Sequence, residues 1–160
     1  MAGTSETLAR ELEAKIRDAV ATLDGLDDTD WTKVTEAERW SVGVTAHHIA
    51  GVLEPISRMI TTVATGQEPV PLRMDLIDAM NAQHAQDHAR CTKTETIALL
   101  RRNAAVATAV IRGLSADQLA RRGAVLAGVP PMSAEELIRG GVLGHLDEHF
   151  GSIRNTAGRD

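Results

Sequence analysis

Aromatic residues are scarce in this 160-residue sequence, which has no tyrosine, one phenylalanine and two tryptophans. A β-sandwich core would draw on aromatic and β-branched side chains, so this core must come from aliphatic residues, which pack well between helices. The hydrophobic fraction of 43% is sufficient for such a core. We therefore expect an all-α fold in a single domain over residues 1–160.

Other scarce features each exclude a class of protein. The single cysteine, Cys91, rules out an intramolecular disulfide and gives no sign of an oxidising compartment. The net charge of −5 and the dispersed basic residues argue against a nucleic-acid partner. No apolar run approaches the roughly 20 residues that span a bilayer, and the polar N-terminus lacks the apolar segment of a signal peptide. These absences predict a cytoplasmic protein without a membrane partner.

Apolar residues recur at spacings of three and four along most of the chain, which is typical of helices packed on one face. Ser115 and Ser133 stand where side-chain caps would begin helices, and Thr4 or Ser5 and Thr92 or Thr94 could each begin another. A further helix starts near Ser41. The predicted helices cover about residues 5–23, 41–66, 74–89, 93–112, 115–121 and 133–156. The segments 74–89 and 93–112 are either one long kinked helix or two collinear helices. The pattern thus predicts a helical bundle with a short extra helix before the last one.

The last predicted helix carries the sequence His145-Leu146-Asp147-Glu148-His149. Residues four apart lie on the same face of an α-helix, so His145 and His149 could bind one metal ion together. Four glycines on an adjoining flank of this helix favour either close approach of a neighbouring backbone or room for a ligand. They are Gly140, Gly141, Gly144 and Gly151.

A third imidazole comes from the helix predicted at 41–66, which contains His47 and His48. On a helical wheel, apolar residues such as Val44 and Val52 lie within about 80° of His48, whereas His47 lies about 100° away among polar residues. His48 should therefore point inward and His47 outward. Three histidines leave an open coordination position, as in catalytic zinc sites.

Further residues are candidates for the surroundings of the metal. Glu148 lies about 60° from His145 on the wheel and could act as a base, although a solvated surface position is equally compatible with the pattern. Asn81 and His84 lie on the inner stripe predicted for residues 74–89, where they could contact a substrate. His84 and His88 form a second pair four residues apart that could compete for the metal.

Two known kinds of metal enzyme do not fit. His-x-x-Glu-His matches an inverted zinc-protease signature, but that signature needs a downstream carboxylate, and only 11 residues follow His149. A di-iron bundle needs Glu-x-x-His pairs on two helices. Leu146 and Val142 stand where those glutamates would be.

Trp40-Ser41-Val42, with His48 eight residues after the tryptophan, resembles the second-helix signature of the DinB superfamily, and His145-x-x-x-His149 resembles its fourth-helix motif. The resemblance extends from about residue 5 to 157. It implies a four-helix bundle of unusual connectivity, often a homodimer, with His48, His145 and His149 as ligands of zinc or nickel.

Relatives in that family include thiol S-transferases and the mycothiol-dependent maleylpyruvate isomerase. The resemblance therefore implies that the metal activates a low-molecular-weight thiol, or water, against an electrophilic small molecule. His145 stands where the isomerase branch carries a glutamate, and no second domain follows, which argues against the isomerisation itself. The alternatives are a stress-related bundle with a purely structural metal and a bundle whose histidines bind no metal.

Overall fold

The computed structural model describes residues 3–158, and most of these residues lie in helices. The last helix starts as a short α-helical turn, continues through a π-helical stretch and ends as a regular α-helix. In chain order the helices are α1 Thr4–Asp24, α2 Asp28–Thr32, α3 Val42–Ala64, α4 Met74–Asp87, α5 Lys93–Arg112, α6 Ala116–Ala120, α7 Ala134–Glu136, the π-helical stretch Leu137–Gly144 and α8 His145–Ala157.

Side-chain caps fix where five of these helices begin, and Asp27 caps the first of the five, α2. Ser41, Thr92, Ser115 and Ser133 each accept a hydrogen bond from a backbone N–H of the first turn. At Thr92, Ser115 and Ser133 the cap residue's own backbone N–H also donates to the side chain three positions further on, which completes a capping box. The predicted caps Ser115 and Ser133 are confirmed, and Thr92 rather than Thr94 caps α5. The side-chain cap predicted at Thr4 or Ser5 is wrong, because Gly3 precedes α1 and makes no side-chain hydrogen bond.

Four helices form a closed ring around the core. Helix α5 packs against both α1 and α3, α3 also packs against α8, and the π-helical stretch with α8 returns to α1. The predicted four-helix bundle with a short extra helix, α6, before the last helix is confirmed. The largest fully buried side chains are aliphatic and come from every helix of the ring; they include Leu8, Leu12, Ile49, Leu53, Leu100, Ile111, Ile138, Leu146 and Ile153.

Helix α4 lies outside this ring. None of its described residues is fully buried, and the Met74 side chain is 56% exposed, so the inner stripe predicted for this segment is not a core face. The reason is that α5, not α4, occupies the fourth position between α1 and α3. Ile77, Asn81 and His84 are half-buried. Helix α4 therefore covers one side of α3.

A small two-stranded sheet leads into the last helix. Strand β1, Arg122–Gly123, pairs antiparallel with β2, Met132–Ser133, and Arg121 accepts at its carbonyl from the Ala134 N–H. Leu72, just before α4, forms a backbone bridge with Leu126 of the connecting loop. The connector therefore ties the starts of α4 and the last helix together.

The glycines of the last helix do not serve a close approach to another backbone. A Cβ added at Gly140 or Gly151 would meet nothing within 4 Å, and at Gly141 only the Ile56 side chain at 3.8 Å. At Gly144 it would lie 3.2 Å from the Arg139 carbonyl oxygen of the same helix. The expectation of a neighbouring backbone is therefore wrong. Three of these poor helix formers, Gly140, Gly141 and Gly144, instead lie in the π-helical stretch.

Within residues 3–158, no helix combines the length and apolar character needed to cross a membrane.

Candidate metal centre

His48, His145 and His149 converge between α3 and α8. Each offers a ring nitrogen, and the three nitrogens lie within 4.8 Å of one another. The His48 ring centroid is 5.5 Å from that of His145 and 5.2 Å from that of His149. His48 and His149 are 4% and 7% exposed, and His145 is half-buried. The structure thus brings together the three residues that the sequence singled out.

The main chain around His145 follows from the π-helical stretch. The His145 N–H donates to the Gly140 carbonyl, five residues back, so the wide turns end at this residue. From His145 onward the helix is regular, which gives His145 and His149 the separation of one α-helical turn, with their ring centroids 4.5 Å apart. The π-helical stretch therefore sets the direction in which the imidazoles of His145 and His149 point.

Two imidazoles of this site, those of His48 and His145, are kept neutral by their surroundings. Burial, assisted by the positive charges that His149 and His145 would carry, lowers the pKa of His48 to about 3. Burial and His149 also lower the pKa of His145, against the opposing influence of Glu148. Since only a neutral imidazole can donate a lone pair to a metal, His48 and His145 are already in the binding form at pH 7.

Glu38, in the loop before α3, contacts His149 directly. Its Oε1 lies 2.8 Å from Nδ1 of His149, and its Oε2 accepts a 2.6 Å hydrogen bond from the Ser152 hydroxyl. Burial acts to raise the pKa of Glu38, but hydrogen bonds from Ser152, Thr35 and His149 outweigh it and hold this pKa below its ordinary value. The carboxylate is therefore ionised and accepts the Nδ1 proton, so Nε2 is the nitrogen of His149 that could bind a metal.

A tight turn positions Glu38 and Trp40 on either side of the site. Arg39, between them, has a φ of 61°, the left-handed region that side chains other than glycine rarely occupy. The turn is closed by the Thr35 N–H, which donates to the Trp40 carbonyl at 2.8 Å. Trp40 then lies edge-on to His48, with ring centroids 5.2 Å apart. Of the two tryptophans, Trp40 borders the site, whereas Trp31 packs on the core.

Sequence reasoning missed Glu38 altogether. The periodicity that orients a helical residue has no counterpart in a loop, so no spacing linked Glu38 to His149, 111 residues away. The one available signal was an acidic residue two positions before Trp40, in the segment that leads into the helix of His48.

The other predicted site residues lie outside the group of three histidines. Glu148 is exposed and, with Ser152 and Asn155, lines a shallow surface groove. Asn81 is half-buried on α4. The His84 ring centroid lies 5.4 Å from that of His48, so His84 adjoins the centre from the α4 side. Cys91 is half-buried, and burial raises the pKa of its thiol, which is the opposite of an activated cysteine.

His47 does not face solvent as predicted. It is half-buried, and its Nδ1 lies 2.9 Å from Nε2 of His84. Its ring also stacks on His88 with a centroid distance of 3.9 Å. Helix α4 covers this side of α3, so a residue on the polar face of α3 is enclosed by a second helix rather than by water. His47, His84 and His88 thus form a second histidine cluster.

Comparisons with known proteins agree with the predicted family and fold. The family model of the DinB superfamily matches residues 11–153. No curated protein matches the sequence. A solved structure of YfiT from Bacillus subtilis, described as a probable metal-dependent hydrolase with an unusual four-helix bundle topology, superposes with a TM-score of 0.74. The match covers 100% of this chain and 92% of YfiT at 15% sequence identity.

Proposed function

Since the chain belongs to the DinB superfamily, we propose that it is a metal-dependent enzyme acting on an electrophilic small molecule. Zinc or nickel would bind to His48, His145 and His149. The convergence of three ring nitrogens within 4.8 Å carries this proposal. A donor set of three imidazoles suits zinc and nickel better than magnesium or calcium, which prefer oxygen ligands.

The residues around the histidines fit such a metal. Glu38 accepts from Nδ1 of His149, the carboxylate–histidine arrangement that orients ligands in many zinc sites. Three protein ligands leave a position for a nucleophile. When bound, the metal would lower the pKa of water or of a low-molecular-weight thiol such as mycothiol at that position.

The protein would contribute a shielded pocket on the α4 side. Trp40 packs edge-on to His48 and would exclude water from that side of the ligand. We propose Asn81 and His84, both half-buried on α4, as polar contacts for the substrate. Glu148, exposed beside His145, would exchange protons between the site and solvent.

Water and a thiol imply different reactions, hydrolysis and thiol transfer. The fold shared with YfiT, a probable metal-dependent hydrolase, supports water. The family resemblance of the Trp40 and His145 motifs supports a thiol. The decisive experiment assays zinc- and nickel-loaded protein on a panel of esters and amides, and on an electrophilic chromogen with and without added thiols.

Each outcome of that screen has a defined meaning. Activity should be at least about 100-fold lower in His149→Ala, because one of three metal ligands is lost. Glu36→Gln, a change at an exposed residue of the same loop as Glu38, is the matched control and should retain activity. Wild type that binds no transition metal on titration would sink the proposal.

A structural metal is the competing function, and the burial of His48 and His149 favours it. Such a metal would join α3 to α8 without meeting a substrate. Removing it with a chelator should then lower the thermal midpoint by many degrees, and wild type should be inactive on every substrate. An active wild type whose His149→Ala variant is inactive but still folded excludes this alternative.

We also propose that the protein is a homodimer. Leu76 and Met80, one turn apart on α4, are 49% and 56% exposed, and such a pair suits a contact between subunits. Light scattering after size exclusion should give twice the 17.1 kDa chain mass. The mass of a single chain at micromolar concentration would contradict it.

A further inference from the structure

All six histidines of the chain belong to two clusters of three. His47, His84 and His88 form the second cluster, between α3 and α4, and their ring nitrogens also lie within 4.8 Å of one another. The rings of His84 and His88 are 4.7 Å apart, and that of His47 is 5.1 Å from His84 and 3.9 Å from His88. The three rings are therefore in mutual contact.

Hydrogen bonding leaves this cluster poorly satisfied. The contact between His47 and His84 can use one proton, but Nδ1 of His84 is buried and has no hydrogen-bond partner. Within residues 3–158, no carboxylate oxygen lies within hydrogen-bonding distance of any of the three rings, although Asp87 and Glu95 are close enough to act on them electrostatically. Three imidazoles packed together without an acid partner are expected to be unfavourable unless something else binds them.

The surrounding structure gives no packing reason for the cluster. Helix α4 contributes no fully buried residue, so His84 and His88 do not fill a core. Backbone contacts hold the segment at each end: Leu72 pairs with Leu126, and the Trp31 indole donates to the Cys91 carbonyl at 3.0 Å. Between these ends, His84 and His88 contact His47 of α3.

We propose that His47, His84 and His88 form a second binding site for a divalent metal of the zinc, nickel or cobalt type. His84 and His88 are one helical turn apart, the spacing suited to gripping one ion, and His47 supplies the third nitrogen from α3. Two nitrogens on a tetrahedral zinc are about 3.3 Å apart, given Zn–N distances of about 2.0–2.1 Å. The 2.9 Å between His47 Nδ1 and His84 Nε2 needs to open by only a few tenths of an ångström.

The two sites would be neighbours with separate ligands. His47 and His48 are consecutive on α3 and point to different sites, and the His48 and His84 rings that separate the sites have centroids 5.4 Å apart. Among residues 3–158, no carboxylate is hydrogen-bonded to the second cluster as Glu38 is to His149. A carboxylate bonded to a ligating histidine in this way raises metal affinity about 10- to 100-fold. The second metal should therefore bind about 10- to 100-fold more weakly than the first.

Metal counting on untagged, full-length protein tests the proposal, because a histidine tag would add sites of its own. Chelator-stripped protein is titrated with Zn²⁺ by calorimetry, and with Co²⁺ by visible absorption. Wild type should bind two equivalents. His88→Ala should lose the weaker one and His149→Ala the tighter one. Gln83→Ala, on the exposed face of α4, is the control and should still bind two.

Other results would overturn the proposal, and they distinguish failure of the second site from failure of the first. One equivalent in wild type that His149→Ala removes and His88→Ala leaves unchanged means that only the first site exists. One equivalent weakened by both variants means a single site sharing ligands from both clusters. One equivalent that only His88→Ala removes supports the second site and rejects the first. No binding in wild type rejects both.

Hydrogen exchange of α4 gives an independent reading. A metal joining His84 and His88 to His47 should slow exchange of amides 78–88 on adding Zn²⁺, and His88→Ala should abolish the slowing. Circular dichroism checks the fold of each variant, and His88→Gln replaces His88→Ala if the latter loses helix. Unchanged exchange in wild type at saturating Zn²⁺ contradicts a site on α4.

Discussion

Glu38 Oε1 accepts a hydrogen bond from Nδ1 of His149 at 2.8 Å, with both side chains less than a tenth exposed. The contact joins the loop before α3 to α8 and directs the free nitrogen of His149 toward His48 and His145. The candidate metal centre is thus built from three parts of the chain, one of which is not helical.

Removing the Glu38 carboxylate should weaken metal binding at this centre. We expect Glu38→Ala to raise the Zn²⁺ dissociation constant about 10- to 100-fold, because His149 loses the partner that fixes its tautomer and orientation. Glu38→Gln can still accept from Nδ1 and should have a smaller effect. Competition with a chromogenic chelator measures the constants, and Glu36→Gln is the control. Equal affinities for Glu38→Ala and wild type would show that the contact does not act on the metal.

The metal-free protein should lose stability as pH falls from 7.5 to 5. In the folded state the pKa of His48 is about 3 and that of His84 about 4, well below the ordinary 6.5. A depressed folded pKa means that the unfolded chain takes up protons first, so the stabilisation is present above pH 6.5 and is lost progressively on acidification.

Urea unfolding in chelator at several pH values tests this dependence. Wild type should show a free energy of unfolding that falls through this range, and His48→Gln should show a shallower fall. The range lies above the titration of most carboxylates, which keeps their contribution small. A free energy that is flat between pH 7.5 and 5 would contradict the neutral, buried state of His48.

Gly43 permits the close approach of Trp31 to α3. A Cβ at this position would lie 2.5 Å from the indole Nε1, so Gly43→Ala should destabilise the fold by about 1–3 kcal/mol through overpacking. Gly51→Ala, in the same helix, meets nothing within 4 Å and should stabilise by about 0.5–1 kcal/mol. Thermal unfolding should therefore move in opposite directions for the two variants. A shift of the same sign in both would exclude the contact as the cause.

Arg39 carries the backbone strain of the turn between Glu38 and Trp40. Its left-handed conformation costs an L-residue about 1–2 kcal/mol, which a glycine does not incur. After the higher entropy of an unfolded glycine is subtracted, Arg39→Gly should leave stability unchanged or raise it by up to about 1 kcal/mol. Arg39→Val should destabilise by about 1–2 kcal/mol because a β-branched residue tolerates this region poorly. Chemical denaturation of both variants decides whether the turn is strained.

Local sequence patterns predicted the helices well. The predicted caps Ser115 and Ser133 stand where the helices begin, since a cap acts within one turn of its own position. The same patterns did not decide whether α4 and α5 are one kinked helix or two separate helices. Helical periodicity also does not say which helix enters the ring. They also gave no sign that the glycine-rich part of the last helix would widen into π-helical turns.

By itself, the sequence determined the helical bundle, its family and the inward face shared by His48, His145 and His149, because caps and helical periodicity act between residues close in the chain. Only the tertiary structure decided that Glu38 reaches His149 and that His47 turns toward His84 and His88. Both depend on packing between segments far apart in sequence, a loop against α8 and α4 against α3. A helical wheel describes one helix and contains no information about which neighbour covers it.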